Sequence, residues 1–276
     1  FITKTYQFDV TIRNSHSQAV DLPIYVNSYI DDKWKFGGDI VDAEYDRVHD
    51  KLITVSMFPS QIKKFDPLTK TITELDLNLP PTCISISQDG NFAAVGHDGR
   101  ISYVNLTNME LIRLYDVTAD VFDIVLAPND WIYAFPRENQ HERIRCVEIA
   151  TATETLHTGR SIYQGTKAKL HPSGNSIYGA NNGLSPSDFE KYNISNGTAE
   201  YLYDSPYHGD FEFGGGIWIS ETGDQLFANS KNVFNSSTVQ SVDLTYDGAL
   251  IGENKIAAMD YHLGANRDYA VLEVGE

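Results

Sequence analysis

A unit that returns every 40 to 49 residues limits this chain to a small set of folds. Six times a tight-turn residue leads into a short apolar run. The first three are Asp50-Lys51-Leu52-Ile53-Thr54-Val55, Gly90-Asn91-Phe92-Ala93-Ala94-Val95 and Asp130-Trp131-Ile132-Tyr133-Ala134-Phe135. The later three are Gly174-Asn175-Ser176-Ile177-Tyr178-Gly179, Gly223-Asp224-Gln225-Leu226-Phe227-Ala228 and Arg267-Asp268-Tyr269-Ala270-Val271-Leu272. The second residue of each marks the unit: Lys51, Asn91, Trp131, Asn175, Asp224 and Asp268. Another extended run precedes, as in Cys83-Ile84-Ser85-Ile86-Ser87 or Val121-Phe122-Asp123-Ile124-Val125-Leu126. Between run and marker stand turn residues such as Gln88-Asp89-Gly90, Pro128-Asn129-Asp130 and His171-Pro172-Ser173-Gly174. Proline presets one turn dihedral and Gly, Asn or Asp tolerates positive φ, so these pairs are hairpins.

A second column follows each marker, an apolar or aromatic residue and then Asp, Asn or Glu. It holds Phe65-Asp66, Val104-Asn105, Val147-Glu148, Tyr192-Asn193 and Val242-Asp243, with Phe8-Asp9 as a sixth match. A short turn and a fourth run come next, as in Thr71-Ile72-Thr73-Glu74-Leu75-Asp76-Leu77. Four short strands per unit, with no helical periodicity between them, predict an all-β propeller of four-stranded antiparallel blades. A β-α solenoid would need helices in the interval, and stacked sandwiches would not explain the shared period. Composition agrees, with 41% apolar residues, 12% aromatics and 20 Gly for turns.

Counting strands predicts six blades in a single domain spanning 1–276. The C-terminal runs Ile256–His262 and Asp268–Glu273 would be joined by Thr5–Val10 and Ala19–Tyr25, so that residues 1–25 complete the last blade. Closure would cover otherwise unpaired edges. Two alternatives stay open: residues 1–38 as the remnant of an immunoglobulin-like module ahead of a truncated propeller over 39–276, or a seven-bladed parent.

The formal charge is −17, from 38 acidic and 21 basic residues, and such a field repels nucleic acid. Cys83 and Cys146 both sit in apolar runs and are expected to be buried free thiols; one disulfide is the alternative. No run of about 18 apolar residues occurs, so no membrane span is expected. No signal peptide is visible, and the start at Phe1 without Met is taken as the mark of a processed protein or an excised fragment.

The stretch Ser85-Ile86-Ser87-Gln88-Asp89-Gly90-Asn91-Phe92-Ala93-Ala94-Val95-Gly96, with Gly99-Arg100-Ile101-Ser102-Tyr103-Val104-Asn105-Leu106-Thr107, resembles the YVTN-type and WD-repeat-like propellers of bacterial surface and periplasmic proteins. That resemblance implies an extracellular, cell-surface or periplasmic location, flanking domains of a larger surface protein, and scaffolding or ligand binding with no common substrate. The Gly-His and Trp-Asp signatures of the eukaryotic repeats are absent.

Signs of catalysis are sparse. The eight histidines, His16, His49, His97, His141, His157, His171, His208 and His262, show no metal-ligand spacing and are expected in solvated loops. There is no Gly-x-Ser-x-Gly elbow. The sialidase box finds only Ser87-Gln88-Asp89-Gly90-Asn91-Phe92, with the wrong spacing and no Trp. Asp89 and Asp98 precede turn glycines without a full calcium loop. Gly214-Gly215-Gly216 has no following Lys, so it is not a phosphate loop. No cofactor, metal or catalytic residue is expected.

Function is expected on the face formed by strand 2–3 loops and inter-blade loops, which are longer and more varied than the 1–2 hairpins. The candidate ligand-binding residues there are His97, Asp98, Arg137, Asn181, Asn182, His208, Asp210, Phe211, Lys231 and Asn235. Aromatic plates beside amides and carboxylates suit a protein or glycan ligand. The expectation is therefore a non-catalytic binding or adhesion module of an exported bacterial protein. The alternatives are a glycan- or peptide-cleaving propeller enzyme using acids around the central channel, and a structural spacer.

Overall fold

In this computed structural model the backbone is described for residues 2–13, 19–29, 37–137, 140–181, 184–252, 254–262 and 267–272, and side chains for those between 37 and 260. The chain divides into two units, Phe1–Gly37 and Gly38–Glu276. In the first, β1 (Ile2–Arg13) and β2 (Ala19–Tyr29) form an antiparallel hairpin with Phe8 opposite Ile24.

The second unit opens with a sheet of β3 (Ile40–Asp46), β4 (Lys51–Ser56), β5 (Gln61–Asp66) and β6 (Thr71–Asp76), in chain order. Then come β7 (Cys83–Ile86), β8 (Phe92–Asn105) and β9 (Glu110–Ala127). Leu106 N–H donates to Asn91 O (2.8 Å), so β8 doubles back, with Gly99 at φ +67° in the bend. β9 pairs with β8 through Glu110–Asp116 and with β10 (Trp131–Pro136) through Val121–Ala127. β11 (His141–Glu142) precedes β12 (Arg145–Glu148) and β13 (Glu154–Leu156), and pairs with β14 (Ile162–Tyr163).

Two further four-stranded sheets follow in chain order. One is β15 (Lys167–Leu170), β16 (Ser176–Asn181), β17 (Asp188–Asn193) and β18 (Glu200–Asp204). The other is β19 (Ile217–Ile219), β20 (Gln225–Ala228), β21 (Asn232–Asn235) and β22 (Tyr246–Ala249). The hairpin of β23 (Ile256–His262) and β24 (Arg267–Leu272) completes the described strands.

The described residues thus form four blade sheets of four or more strands, where six blades were expected. The sheet β13-β12-β10-β9-β8-β7 takes in two sequence units, marked by Asn91 and Trp131, because β8 and β9 run through their bends. The last unit contributes the two strands β23 and β24.

The turn column has a physical origin. Asp50, Gly90, Asp130, Gly174 and Gly223, each just before its marker, all have positive φ, between 57° and 77°. Only Gly, or Asn and Asp at some cost, occupies that region readily. The second column caps the following turn: Asp66 Oδ1 accepts from Leu68 N (2.8 Å), Asn105 Oδ1 from Thr107 N (2.8 Å) and Asn193 Oδ1 from Ser195 N (3.1 Å). Val242-Asp243 breaks that pattern. Strand β21 ends at Phe234-Asn235, and residues 236–245 extend the turn beyond it.

Apolar cores lie between successive sheets. Ile53, Val55 and Ile62 pack with Ile84, Ala93 and Val95; further round, Tyr178 and Phe189 pack with Phe213, Leu226 and Phe234. β7 lies beside β3, β9 beside β7, β15 beside β9 and β19 beside β15, so the first strands of successive units line the centre.

These inner strands are sheet edges, and their outward N–H groups need acceptors. Side chains of the preceding unit supply them. Asp42 accepts from Ile84 N (2.9 Å), Glu44 from Ile86 N (3.2 Å), Ser85 Oγ from Leu126 N (3.1 Å) and Asp123 from Ala168 N (2.7 Å). Lys169 pairs with Glu44 (3.0 Å) and Lys167 with Asp123 (3.5 Å). Arg47 pairs with Asp260, joining the last hairpin to the first blade.

Candidate ligand-binding face

Strand 2–3 turns and inter-blade connections emerge from the same end of the blades, opposite the marker hairpins. Two hollows open there. The first, about 300 Å³, is lined by Gly99, Val117, Thr118, Ala119, Asp120, Pro136, Glu142 and Arg145. The second, about 470 Å³, lies between the segment 184–187 and the segment 209–215, with Phe211 and Glu212 in its wall beside Gly209, Gly214 and Gly215.

The first hollow has a polar rim. Arg137 reaches Asp98 at 2.6 Å and Asp120 at 3.9 Å. Arg145 reaches Glu142 at 2.9 Å and donates through Nε to Thr118 Oγ1 at 3.0 Å. The Asp98 and Arg137 of the sequence reading therefore meet here. His97, next to them in the chain, turns the other way. It is buried between Pro80 O and Ser102 Oγ, each at 2.9 Å, and burial pushes its pKa down.

Phe211 lines the second hollow; His208 and Asp210 flank its lining residue Gly209 in the chain, and Asn181 lies in β16 opposite Asp188. Asp210 is exposed. Phe211 is half-buried and stacks on Tyr246 (4.3 Å, 13°), packing edge-on to Tyr207. Its neighbour Phe213 is fully buried against Phe189 and Phe234. Asn181 is buried, with Nδ2 donating to Glu190 Oε1 at 3.2 Å.

Lys231 sits in the β20–β21 turn at φ 77°, its Nζ on Gly252 O. Asn235 lies at the opposite end of β21, with Nδ2 on Thr245 Oγ1 (3.1 Å), away from the other candidates. Asn182 lies outside the described residues.

The sequence did not reveal how the sheet gathers charge behind the second hollow. Asn181 faces Asp188 across β16 and β17, and Glu190 faces Asp204 across β17 and β18. Asp188 Oδ1 accepts from Phe189 N (2.7 Å) and from Ser205 Oγ, while Oδ2 lies 3.4 Å from His208 Nδ1. Asp204 Oδ2 pairs with Arg160. Burial raises Asp188 to about 6 and also raises Glu190. The partners lie in separate strands and connections, so no local spacing marks them.

Among the described residues, two histidines depart from the solvated-loop expectation. Besides His97, His157 is buried; its Nδ1 accepts from Ile144 N (2.7 Å) and its Nε2–H donates to Arg160 O (2.7 Å). Both cysteines are free and buried, as expected, and burial pushes both thiols up, Cys146 to about 12.

No protein-family model and no curated protein sequence matches the chain. Among solved structures it is similar to the β-propeller domain of Cps50 (Swd1) from Myceliophteria thermophila: TM-score 0.60 and 14% identity, covering 78% of this chain and 72% of that one. It is also similar to a chain of Kuenenia stuttgartiensis hydrazine synthase, with TM-score 0.57 and 11% identity over 89% of this chain and 99% of that one. At such identities the likeness is one of fold. The chain is an all-β propeller of antiparallel sheets. No helix among the described residues is long and apolar enough to cross a membrane.

Proposed function

We propose that this chain is a non-catalytic binding module of an exported surface or periplasmic protein, docking a protein segment or a glycan on its loop-rich face. The second hollow carries the reading. Its about 470 Å³ matches the size of a small-ligand or side-chain site, and glycines line it where a ligand backbone would need close approach. Phe211 offers an apolar wall and Glu212 an acceptor at the rim.

The channel acids favour binding over cleavage. Asp42, Glu44 and Asp123 are each occupied by backbone N–H groups, and two of them also by lysines. A glycosidase pair needs carboxyls free to exchange protons with substrate. The similarity to a hydrazine synthase chain is one of fold and brings no activity with it.

The test is a glycan array and a cross-linking pull-down from cell-surface extract, each with the wild-type chain and with Glu212→Lys. Glu212 is exposed and paired with Lys255, so its reversal leaves the core intact. A specific ligand whose binding falls at least tenfold in the variant supports the reading. Turnover of a glycan or peptide panel, or silence in both assays, overturns it in favour of an enzyme or a spacer.

The same reading makes the ring six-bladed and YVTN-like, residues 1–25 completing its last blade. Among the described residues β24 pairs with β23 alone, so its other edge needs cover. Deletion of 1–37 should lower the melting temperature of the remainder; an unchanged melt would favour the immunoglobulin-like remnant.

A further inference from the structure

We propose that Asp188, Asp204 and His208 form a divalent-cation site of the Mn²⁺ or Zn²⁺ class at the edge of the second hollow. One ligand atom from each of the three residues falls within a 4.8 Å cluster. Two carboxylates and one imidazole are a donor set suited to a borderline first-row cation.

The local hydrogen bonding leaves the right atoms available. Asp188 Oδ1 is fixed by Phe189 N–H and the Ser205 hydroxyl, which orients Oδ2 toward His208 Nδ1. Such anchoring of a carboxylate through its other oxygen is what metal ligands need. Asp204 gives Oδ2 to Arg160, and Oδ1 remains for a metal. His208 is 66% exposed, so the site has an approach from solvent.

A second observation points the same way. Asn181 is 3% exposed and directly opposite Asp188 in the β16–β17 register; its Oδ1 is buried without a hydrogen-bond partner. Its Nδ2 is held by Glu190, which fixes the amide's orientation. A buried acceptor left unpaired costs about 1–3 kcal/mol. Because Asn181 faces Asp188 across the strand pair, a cation held there, or a water bound to one, would supply the missing partner.

Charge favours occupancy as well. Asp188, Glu190 and Asp204 crowd together, with Asp204 opposite Glu190 in the strand register and paired with the guanidinium of Arg160. A divalent ion relieves that repulsion. The site does not depend on which ligand the face binds.

The test uses the full chain without a polyhistidine tag, stripped with EDTA and titrated calorimetrically with MnCl₂ and with ZnCl₂. One-to-one binding is expected, weakened at least tenfold by Asp188→Asn and by His208→Ala. Asp188→Asn keeps the acceptor for Phe189 N–H, and His208 is exposed, so both variants should melt near the apo wild type. Mn²⁺ electron paramagnetic resonance should lose its bound signal in both. Absence of binding at 100-fold excess metal, or equal binding in wild type and variants, overturns the proposal. Loss of glycan or protein docking with metal binding intact would count against the functional reading and not against this site.

Discussion

At the scale of single residues, the turn column is the most legible part of the chain. The residue before each of the first five markers reaches positive φ, and the choice of Gly or Asp at 50, 90, 130, 174 and 223 records that demand. Gly90 carries a further constraint, since a Cβ there would lie 2.3 Å from Asp46 Oδ1 and 2.6 Å from His49 Nδ1. Gly90→Ala should cost roughly 1–3 kcal/mol in urea unfolding, whereas Asp130→Gly should stay within about 0.5 kcal/mol of wild type.

His157 shows what the sequence concealed. A histidine near a turn is usually solvated, but this one accepts from Ile144 N–H and so must be neutral at Nδ1. Burial first, then Arg143 and Arg145, lowers its pKa to about 4, with the Arg160 carbonyl opposing. The unfolded chain therefore binds the proton more readily between the ordinary value of 6.5 and about 4. Stability from this group is full above the upper value and lost as pH falls through that window, by roughly 3 kcal/mol. The difference in unfolding free energy between wild type and His157→Gln should shrink on acidification from pH 7 to pH 4. A pH-independent difference would contradict the assignment.

At the scale of elements, strand count and hairpin order followed from period and turn chemistry, but strand continuity did not. β8 and β9 run through their bends, and only coordinates show two units sharing one sheet. The misplaced Val242-Asp243 has a similar cause. Asp243 imitates the column residue, yet it is buried in an ion pair with Lys191 (2.6 Å) and accepts from the hydroxyls of Tyr178 (2.8 Å) and Tyr203 (2.9 Å). With 38 acids to choose from, nothing in the sequence separated this structural carboxylate, or the inner-edge ones, from solvated neighbours.

Two predictions belong at this scale. Asp243→Ala strands the Lys191 ammonium in the interior and should destabilise by about 3–5 kcal/mol. Asp123→Ala removes the acceptor for the buried Ala168 N–H and should cost about 1–3 kcal/mol, with Asp123→Asn losing less because an oxygen remains. Denaturant midpoints at unchanged m-value are the measurement.

At the scale of the whole molecule, the repeat predicted packing around an axis, and the interleaved cores between sheets confirm that part. The proposed binding face is only partly visible in the sequence. Loop length put Asp98 and Arg137 at one end of the blades, where the structure brings them together. It could not foresee that His97 and Asn181 turn inward, because burial depends on partners far along the chain. Chain ends matter too: Ile256, fully buried, packs with Phe227 and Val233. Truncation after residue 252 should uncover that cluster, raising ANS fluorescence and promoting self-association in sedimentation velocity.

The acceptors at the first three inner junctions all run one way, from a unit to its successor: Asp42 and Glu44 onward to β7, Ser85 to β9, Asp123 to β15. That gives the ring a sense of rotation. A circular permutant cut in the 67–70 turn would preserve every one of these handshakes, since cyclic order survives. A chain with two interior units exchanged would keep identical composition and identical individual hairpins, yet set lysine or alkyl groups where its neighbour's amides expect oxygen. Unit order, and not unit content alone, is thus written into the hub.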